Sequence, residues 1–403
     1  MGSVGMALWT VILLAVALAW RALWTLRVRP YWLAPLPEGR SPDAPLPSLS
    51  VIIPARNEER NLPGLLERLA REGSATTEIL VVDDHSTDGT AECARQAMQA
   101  DPRVQLIASP ERPAGWAGKT WALTQGAAAA TGDWLVLCDA DILLGKDTLA
   151  QAWDLIRAER LDGLSLVPRM QNRRQPVALL LGCFALARAV LFRPAAPGRR
   201  GLIQGAFLVL RRAAYTAVGG HASLSGSLLE DVELGYLLQD AGFRVAAYPA
   251  HGLLATRMYG SFRTAWQGMT KHLFACLDYS LAKAAGSLLL HLALLPLPLL
   301  SLLVLLARTG AGGATAGLLF ALTGALAAVV AMYGVGLAVT RRERLPLAAG
   351  LLLPMSILLL AGVLLDSAYG YRRGAIVWKG RSYAARAEAR RDAPEPAPGP
   401  GKA

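Results

Sequence analysis

The strongest constraint on the fold of this chain is a set of long apolar stretches at its two ends. One covers residues 4–26, where Arg21 is the single charged residue, and three more follow one another at residues 285–307, 314–339 and 345–366. About 20 apolar residues are enough to cross the hydrocarbon core of a bilayer as a helix. The chain is 53% apolar with a mean hydropathy of +0.35, too hydrophobic for an ordinary soluble enzyme. We therefore predict a membrane protein.

The N-terminal segment, residues 1–29, is predicted to be an uncleaved membrane anchor rather than a signal peptide. No basic stretch precedes its apolar run, and no clean small-residue cleavage site follows it. Arg27 and Arg29 come directly after the run, so the positive-inside rule places the next segment in the cytoplasm. We expect a multi-pass protein of the cell inner membrane whose central part faces the cytoplasm.

The C-terminal region is predicted to hold transmembrane or re-entrant helices over residues 285–366. Pro296, Pro298 and Pro354 lie inside the apolar stretches and suggest kinked helices. The tail, residues 367–403, is basic and is expected to be cytoplasmic. Three full crossings from a cytoplasmic domain would instead place the tail outside. Either one stretch is re-entrant or interfacial, or the charge rule fails here.

The formal net charge of +11 raises the question of a nucleic-acid partner. No basic helix and no aromatic-basic platform typical of nucleic-acid modules is present, so we predict no such partner. A cationic surface that faces anionic lipid in the cytoplasmic leaflet is the better interpretation.

Residues 30–48 are rich in proline and are predicted to be an extended linker, whereas residues 49–280 alternate between strand-like and helix-like patterns. The strand-like runs are LSVIIPA, EILVVDD, VQLIAS and DWLVLCDAD. Such alternation predicts an α/β domain with a mostly parallel central sheet and helices on both faces. Ligands of these sheets bind beyond the carboxyl ends of the strands, where the polar clusters of this chain fall.

Asp139 and Asp141 are the strongest chemical signal, because both follow directly after a buried strand. Two hard oxygen donors one residue apart suit Mg²⁺ or Mn²⁺, with a diphosphate supplying further ligands. Such an ion would neutralise charge on a departing nucleoside diphosphate. Taken alone, an ordinary strand-end turn with two solvated acids explains the pair at least as well.

Two further acidic clusters lie in the same region. Asp83 and Asp84 end the second strand, where they could accept hydrogen bonds from a base or a ribose. Glu230 and Asp231 lie in LEDVELG, where a carboxylate could take the proton of an acceptor hydroxyl as a general base. Taken alone, the second cluster is more simply an acidic helix start.

In this order and spacing, the motifs together resemble the family 2 glycosyltransferases, which have the GT-A fold. The resemblance covers about residues 48–275 and also rests on IIPARNEE and GWAGKTWAL. It implies inverting hexosyl transfer by direct displacement, with one base and no covalent intermediate. The implied donor is a UDP-sugar, although another nucleotide remains open, and the implied cofactor is a divalent Mg²⁺ or Mn²⁺ ion.

The resemblance also implies roles for individual positions. Asp231, with its neighbour Glu230, matches the catalytic base, and Asp139 and Asp141 match the metal and diphosphate carboxylates. Gly205 resembles a loop that shapes the acceptor side. For the lysine of GWAGK, an exposed lysine at a helix start is an equally good interpretation. The positions that match the donor site are Pro54, Ala55, Asn57, Glu58, Asp83, Asp84, Gly118, Lys119 and Asp139.

Within the family, the chain resembles the membrane-bound glycosyltransferases associated with hopanoid biosynthesis, and more distantly carotenoid-acid and ceramide glycosyltransferases. This rests on GWAGK, the C-terminal apolar stretches and WKGRSY. The QxxRW motif of processive and ceramide-type relatives is not in register, since the region reads WQGMTKH. Trp266, Gln267 and Lys271 are candidates for the acceptor side at the membrane mouth, or they are interfacial anchors.

Residues 176–192 are apolar, but a membrane crossing there would separate Asp139 from Asp231, and one sugar needs both. The run is also short for a span and contains Arg188. We therefore predict an amphipathic helix in the membrane interface. It would bring the site to the headgroup level, where a lipid hydroxyl emerges, which argues for a lipid acceptor independently of the resemblance.

The leading hypothesis is thus a membrane-bound glycosyltransferase with a lipid acceptor that is hopanoid-like, or otherwise isoprenoid-like or sphingolipid-like. A processive polysaccharide synthase is one alternative, which the few helices and the missing QxxRW argue against. A catalytically inactive membrane scaffold is another, which the intact acids of all three motifs argue against. A transporter is disfavoured because the apolar stretches carry almost no charge.

Overall fold

The structure is a computed structural model. It describes residues 45–72, 77–171, 175–191, 195–198, 200–294, 296–312, 315–378 and 381–382. The predicted anchor at residues 1–29, most of the linker at 30–48 and most of the tail at 367–403 lie outside these residues. Those three assignments stay predictions.

The strands, in chain order, are β1 Leu49–Ala55, β2 Thr77–Asp83, β3 Val104–Ala108, β4 Trp134–Cys138, β5 Ile142–Leu144, β6 Gly163–Val167, β7 Arg169–Met170, β8 Phe207–Arg211, β9 Val245–Pro249, β10 Leu254–Thr256, β11 Val377–Trp378 and β12 Arg381–Ser382. The helices are α1 Leu62–Ala70, α2 Thr90–Ala100, α3 Gly118–Ala129, α4 Thr148–Glu159, α5 Gln175–Leu191, α6 Arg212–Ala217, α7 Glu230–Asp240, α8 Phe262–Leu273, α9 Leu281–Leu294, α10 Pro296–Gly312, α11 Ala316–Arg342, α12 Leu347–Leu351 and α13 Leu353–Arg372. Short 3₁₀ turns cover Gly220–Leu224 and Ala275–Leu277.

The central sheet has seven strands in the order β3-β2-β1-β4-β8-β6-β9. β8 runs antiparallel to both of its neighbours, and the other pairs are parallel. The prediction of a mostly parallel sheet is therefore confirmed. Because β1, β2 and β4 are parallel and adjacent, their carboxyl ends meet at one edge of the sheet, which collects the acidic motifs there.

Side-chain alternation along β1 divides the core of the α/β domain into two layers. Val51 and Ile53 pack with the apolar face of α1 on one side of the sheet. Ile52 points to the other side, where it packs with residues of α3 and α7. All three side chains are fully buried, as expected for a parallel strand covered by helices on both faces.

Three helical stretches among the described residues are long and apolar enough to cross a membrane, which confirms the prediction of three apolar helices in this region. They are Leu281–Thr309 (α9 and α10), Gly317–Arg341 (within α11) and Leu353–Arg372 (α13). Large apolar side chains on them, such as Leu303 and Phe320, are more than half exposed. Such a surface suits contact with lipid rather than water.

Pro354 lies in the first turn of α13, directly after the short helix α12 ends at Leu351. In a first turn the missing N–H has no intrahelical partner to lose, so proline starts a new helix there. The apolar run at residues 345–366 is thus divided into two helices next to this proline. The kink predicted at Pro296 and Pro298 lies beside residue 295, outside the described residues, and stays a prediction.

Helix α5 forms where the sequence predicts one, but its first part is not amphipathic. The side chains from Val177 to Leu181 are all buried, because α5 contacts α8 on one side and α11, α12 and α13 on others. The hydrophobic cluster that they form includes Met332 of α11 and Ile357 of α13. That α5 lies in the membrane interface stays a prediction.

Helix α8 joins the α/β domain to the last apolar helix. The Trp266 indole donates a hydrogen bond to Asp366 Oδ2 at 2.7 Å. A methyl group at Gly362 would lie only 3.0 Å from the Trp266 ring, so the small residue lets the ring approach α13. The backbone N–H of Phe274 donates to Ser367 Oγ at 3.0 Å. These polar contacts fix the register between the two helices.

Gly126→Ala is expected to destabilise the α/β domain by about 1–3 kcal/mol, because the new Cβ would overpack the core. It would lie 2.3 Å from Ile52 Cγ2, where α3 packs on β1. Thermal unfolding of the purified protein in detergent measures the effect as a lower midpoint.

Gly64→Ala is the matched control, since Gly64 lies in α1 with nothing within 4 Å of its added Cβ. Alanine favours helix over glycine by up to about 1 kcal/mol, so this midpoint should stay or rise. Equal losses in both variants would contradict the packing described here.

Candidate active site

The loops that follow β1 and β2 are tied together by side-chain hydrogen bonds. Asn57 Oδ1 accepts from the Thr87 backbone N–H at 2.9 Å, and the Asn57 N–H donates to Ser86 Oγ at 3.0 Å. The Glu58 N–H donates to Thr90 Oγ1 at 2.8 Å. Asn57 has φ of 55°, a left-handed conformation that asparagine tolerates better than most residues. The two loops therefore form one structured rim.

The residues predicted to hold the donor lie along this rim. Pro54 and Ala55 end β1, and Asp83, the last residue of β2, pairs in register with Ala55. Asp84 is buried beside them, and the Arg56 guanidinium donates to its carbonyl oxygen at 2.7 Å. The structure thus brings the PARNE and DD motifs together at one edge of the sheet.

Lys119 is the cation around which the acids gather. Its Nζ lies 2.7 Å from Asp139 Oδ1 and 3.5 Å from Glu230 Oε1. The three residues come from the start of α3, the end of β4 and the start of α7. Burial alone would lower the pKa of Lys119, but the charges of Asp139, Glu230 and Asp231 raise it well above the ordinary lysine value. Gly118 begins α3 and is buried.

Asp231 is held by two backbone donors. The Gly205 N–H donates to its Oδ2 at 2.7 Å, and the Val232 N–H donates to its Oδ1 at 2.8 Å. A Cβ at residue 205 would lie 2.7 Å from Asp231 Cβ, so this contact requires glycine. Burial and the negative charge of Glu230 raise the pKa of Asp231 to about 6, against the opposing effect of Lys119.

Asp141 follows Asp139 by two residues and lies close enough to interact with its charge. Burial raises its pKa to about 6, and the charges of Asp139 and Glu58 add to the effect. Among the described residues, no three His, Cys, Asp or Glu side chains converge as a metal site. The candidate protein ligands are then the two carboxylates of Asp139 and Asp141. Two such oxygen donors fit a divalent cation that takes its other ligands from a diphosphate.

A buried tyrosine–histidine pair stabilises the segment that connects α6 to α7. The Tyr215 hydroxyl lies 2.9 Å from His221 Nδ1 and accepts from the His221 backbone N–H at 3.0 Å. Farther along this segment, the Ser225 carbonyl accepts from the Ala117 N–H at 2.7 Å, just before α3. The Leu229 N–H donates to Ser227 Oγ at 3.1 Å, just before α7. The starts of α3 and α7 are thereby connected through one ordered segment.

A cavity of about 260 Å³ runs between the acids and the apolar helices; we name it the acceptor cavity. Lys119, Asp139 and Asp231 line it within the α/β domain, whereas Leu360 and Leu364 line it from α13. Its remaining wall is mostly apolar, and includes Met170, Leu181, Phe184, Met258, Met269 and Leu273.

The residues predicted for the membrane mouth do not stay together. Trp266 packs against α13 and Gln267 is exposed, and neither lines the acceptor cavity. Lys271 does lie near the acids: burial lowers its pKa, while Glu230, Asp231 and Asp139 oppose that shift. Gln267 and Lys271 are one turn apart on the same side of α8, so their positions along the helix separate them rather than the faces they occupy.

Sequence reasoning missed Tyr259 and Met258, both of which line the cavity. Burial and the charge of Asp141 raise the pKa of Tyr259 well above its ordinary value. Both residues follow β10 after a short gap, so their place after a strand end was the available signal. It was weak because β10 belongs to the small sheet, in the order β5-β10-β7, rather than to the central one.

Comparison with known families gives two matches. A family described as glycosyl transferase family 2 matches residues 50–178. A family described as glycosyl transferase family group 2 matches residues 134–364, which is more than half of the chain.

Curated relatives include two 4,4'-diaponeurosporenoate glycosyltransferases. That of Staphylococcus haemolyticus is 31% identical over 234 residues, covering 56% of this chain and 61% of the relative. That of Staphylococcus aureus strain USA300 is 29% identical over 237 residues, covering 56% and 60%. The chain thus matches less than two thirds of the length of these relatives.

Among solved structures, a mannosyltransferase from Pyrobaculum calidifontis in complex with GDP-Man and Mn²⁺ is similar to the chain, with a TM-score of 0.52. It is 21% identical, with 91% of this chain and 97% of that chain covered. This similarity is one of fold, and it confirms the predicted GT-A fold of the α/β domain.

Lys119→Met is expected to destabilise the protein by about 1–3 kcal/mol near neutral pH, because three acids lose their common counter-ion. The loss is smaller than for a fully buried ion pair, because the lysine side chain is 34% exposed and solvent screens its charge. Without the lysine the folded-state pKa values of these acids rise, so protonation on acidification relieves their repulsion. The deficit should therefore shrink as pH falls from about 8 to about 5.

Unfolding midpoints of wild type and variant across that pH range measure the deficit. Lys146→Met is the control, since the Lys146 side chain is 90% exposed and lies 3.9 Å from Asp147. A deficit in Lys119→Met that is absent, or independent of pH, would contradict the proposed charge balance.

Proposed function

The chain belongs to the family 2 glycosyltransferases, and we propose that it transfers a sugar from a nucleotide sugar to a lipid bound in the acceptor cavity. The observation that carries the proposal is the composition of that cavity. Asp231 lines the part of the cavity that lies in the α/β domain, and side chains of α13 line the part that lies between the apolar helices. An apolar chain gains about 25 cal/mol for each Å² it buries there, whereas a soluble sugar acceptor would lose hydration.

We propose that the rim formed by the loops after β1 and β2 binds the nucleoside of the donor. Asp83 and Asp84 supply carboxylate acceptors for base or ribose donors, and the cross-tied loops hold them in place. A UDP-sugar is the proposed donor. The solved mannosyltransferase with similar fold carries GDP-Man, so guanine nucleotides are the comparison to include in any assay.

Asp139 and Asp141 would hold the divalent cation, Mg²⁺ or Mn²⁺, together with the donor diphosphate. When bound, such an ion supplies charge neutralisation for the departing nucleoside diphosphate. Support comes from the negative charges of Asp139 and Glu58, which act on the Asp141 carboxylate and which a cation would offset. The solved mannosyltransferase was obtained with Mn²⁺.

The proposed reaction is a single displacement. Asp231 accepts the proton of the acceptor hydroxyl, whose oxygen forms a bond to the anomeric carbon as the bond from that carbon to the diphosphate breaks. Inversion follows because attack and departure occur on opposite sides of the carbon. Gly205 and Val232 orient the base through their N–H groups, and each carboxylate oxygen keeps a further lone pair for the proton. Lys119, beside Asp139, brings positive charge to the phosphate side.

We propose that the acceptor is a hopanoid-like, other isoprenoid-like or sphingolipid-like molecule in the cytoplasmic leaflet of the cell inner membrane. The apolar helices support membrane association. Arg27 and Arg29 after the first apolar run support a cytoplasmic α/β domain. Curated relatives named for a carotenoid acid add support for an isoprenoid-like acceptor.

The direct test is an assay of the purified protein in detergent with Mn²⁺ or Mg²⁺, radiolabelled UDP- or GDP-sugars and lipids extracted from membranes. The proposal expects label in a single organic-soluble product. A ladder of long water-soluble products would favour the processive polysaccharide synthase instead. Absence of both products and of metal-dependent nucleotide binding would favour the inactive scaffold.

Asp231→Asn is expected to lower kcat by about 10²–10⁴-fold, because the amide cannot take the proton. Donor affinity, measured by calorimetry with UDP and metal, should change little. Asp240→Asn is the control in the same helix, where Asp240 pairs with Arg200 at the surface at 2.9 Å. Full activity of Asp231→Asn would refute the assignment of the base.

The pH profile gives an independent check. A base must be deprotonated, and the pKa of Asp231 is raised to about 6, so kcat/KM should rise through half its maximum near pH 6 and level off above it. Asp141 has a similar pKa, but a cation bound to it would shift its inflection to lower pH as metal concentration rises. An inflection that stays near 6 at all metal concentrations identifies Asp231. One near 4 would contradict the effect of burial.

A further inference from the structure

The acceptor cavity contains polar groups apart from the acids, and two of them lie on α9. Ser287 and His291 are one helical turn apart in this first apolar helix of the C-terminal region. Both line the cavity, and His291 is only 6% exposed. The proposed sugar transfer uses neither residue, so their polarity in an otherwise apolar wall needs a separate explanation.

Hydrogen bonding fixes the chemical character of His291. Its Nδ1 lies 2.6 Å from the Ser287 carbonyl oxygen and 3.5 Å from Ser287 Oγ. A carbonyl oxygen can only accept, so Nδ1 carries the proton. A neutral imidazole protonated at Nδ1 has a lone pair at Nε2. Among the described residues, no hydrogen-bond partner of Nε2 is present.

A lone pair on a cavity wall made mostly of leucine, methionine and phenylalanine costs free energy unless a donor meets it. We propose that His291 determines acceptor specificity by accepting a hydrogen bond, through Nε2, from a second hydroxyl group of the lipid. That hydroxyl is distinct from the one that receives the sugar. The inference rests on the proposed function and makes it more specific, since the preferred acceptors are lipids with at least two hydroxyl groups.

Binding of defined alcohols tests the inference without relying on turnover. The probes are dodecanol and a series of dodecanediols that keep one terminal hydroxyl and carry the second at varied positions. Each is measured by its displacement of a fluorescent fatty alcohol from the full-length protein in detergent. Wild type should bind the best-placed diol about tenfold more tightly than dodecanol, which is the value of one net hydrogen bond.

His291→Leu removes the acceptor and keeps an apolar side chain of similar size, so the preference for the diol should vanish while dodecanol binds equally well. His291→Gln offers a carbonyl acceptor and should restore part of the preference. Leu289→Ala is the control on the same helix, because Leu289 is 67% exposed on the outer surface. Circular dichroism of each variant identifies any that fails to fold. If His291→Leu is among them, His291→Gln is compared with wild type, and an unchanged diol preference then contradicts the inference.

The outcomes separate this inference from the proposed function. Equal binding of every diol and dodecanol to wild type overturns the role of His291 but leaves a lipid cavity. A diol preference that persists in His291→Leu also overturns it. Loss of dodecanol glycosylation in His291→Leu would place the histidine at the reacting hydroxyl, and this too would overturn its role at a second hydroxyl. Failure of wild type to bind any alcohol refutes the lipid cavity, and with it the proposed acceptor class.

Discussion

The site depends on one balance of charge. Asp139 at the end of β4 meets Glu230 and Asp231 at the start of α7, and such a group of acids repels itself in a partly dry environment. Lys119 offsets that repulsion through its contacts with Asp139 and Glu230. Burial and neighbouring negative charges still raise the pKa values of Asp231 and Asp141. The charge of Asp141 lies near Glu58 of the donor rim, which favours a cation at this side of the site.

This balance is possible because of the order of the strands. Parallel β1, β2 and β4 bring three loops to one edge, and antiparallel β8 next to β4 places Gly205 just before its start. The close contact of Gly205 with Asp231 then sets the position of α7 relative to the sheet. The segment braced by Tyr215 and His221 connects α7 to α3. Donor and acceptor sides are therefore parts of one packed unit.

Much of this could be predicted from the sequence, because local patterns determine it. The apolar runs of β1, β2 and β4 predicted the sheet, and parallel pairing placed Asp83, Asp139 and Glu58 at one edge. Motif spacing identified Asp231 and Lys119, but it did not reveal that Lys119 contacts Asp139 directly. Contacts between distant segments were also beyond pattern reasoning. Tryptophan is typical of an interfacial anchor, yet the hydrogen bond of Trp266 to Asp366, 100 positions away, makes it a structural link. At Pro354 the structure has a boundary between two helices, because whether a proline bends a helix or starts one depends on where each helix begins.

The wall of the acceptor cavity has a consequence for how the chain can be divided. Leu360 and Leu364 enclose the same space as Asp231, although they belong to a helix long enough to cross a bilayer. A fragment ending before α9 would keep the nucleotide rim and the acids but would open the chamber to water. Under the proposed function, the α/β domain and the apolar helices are therefore not separable modules, because these helices complete the cavity in which the acceptor would react.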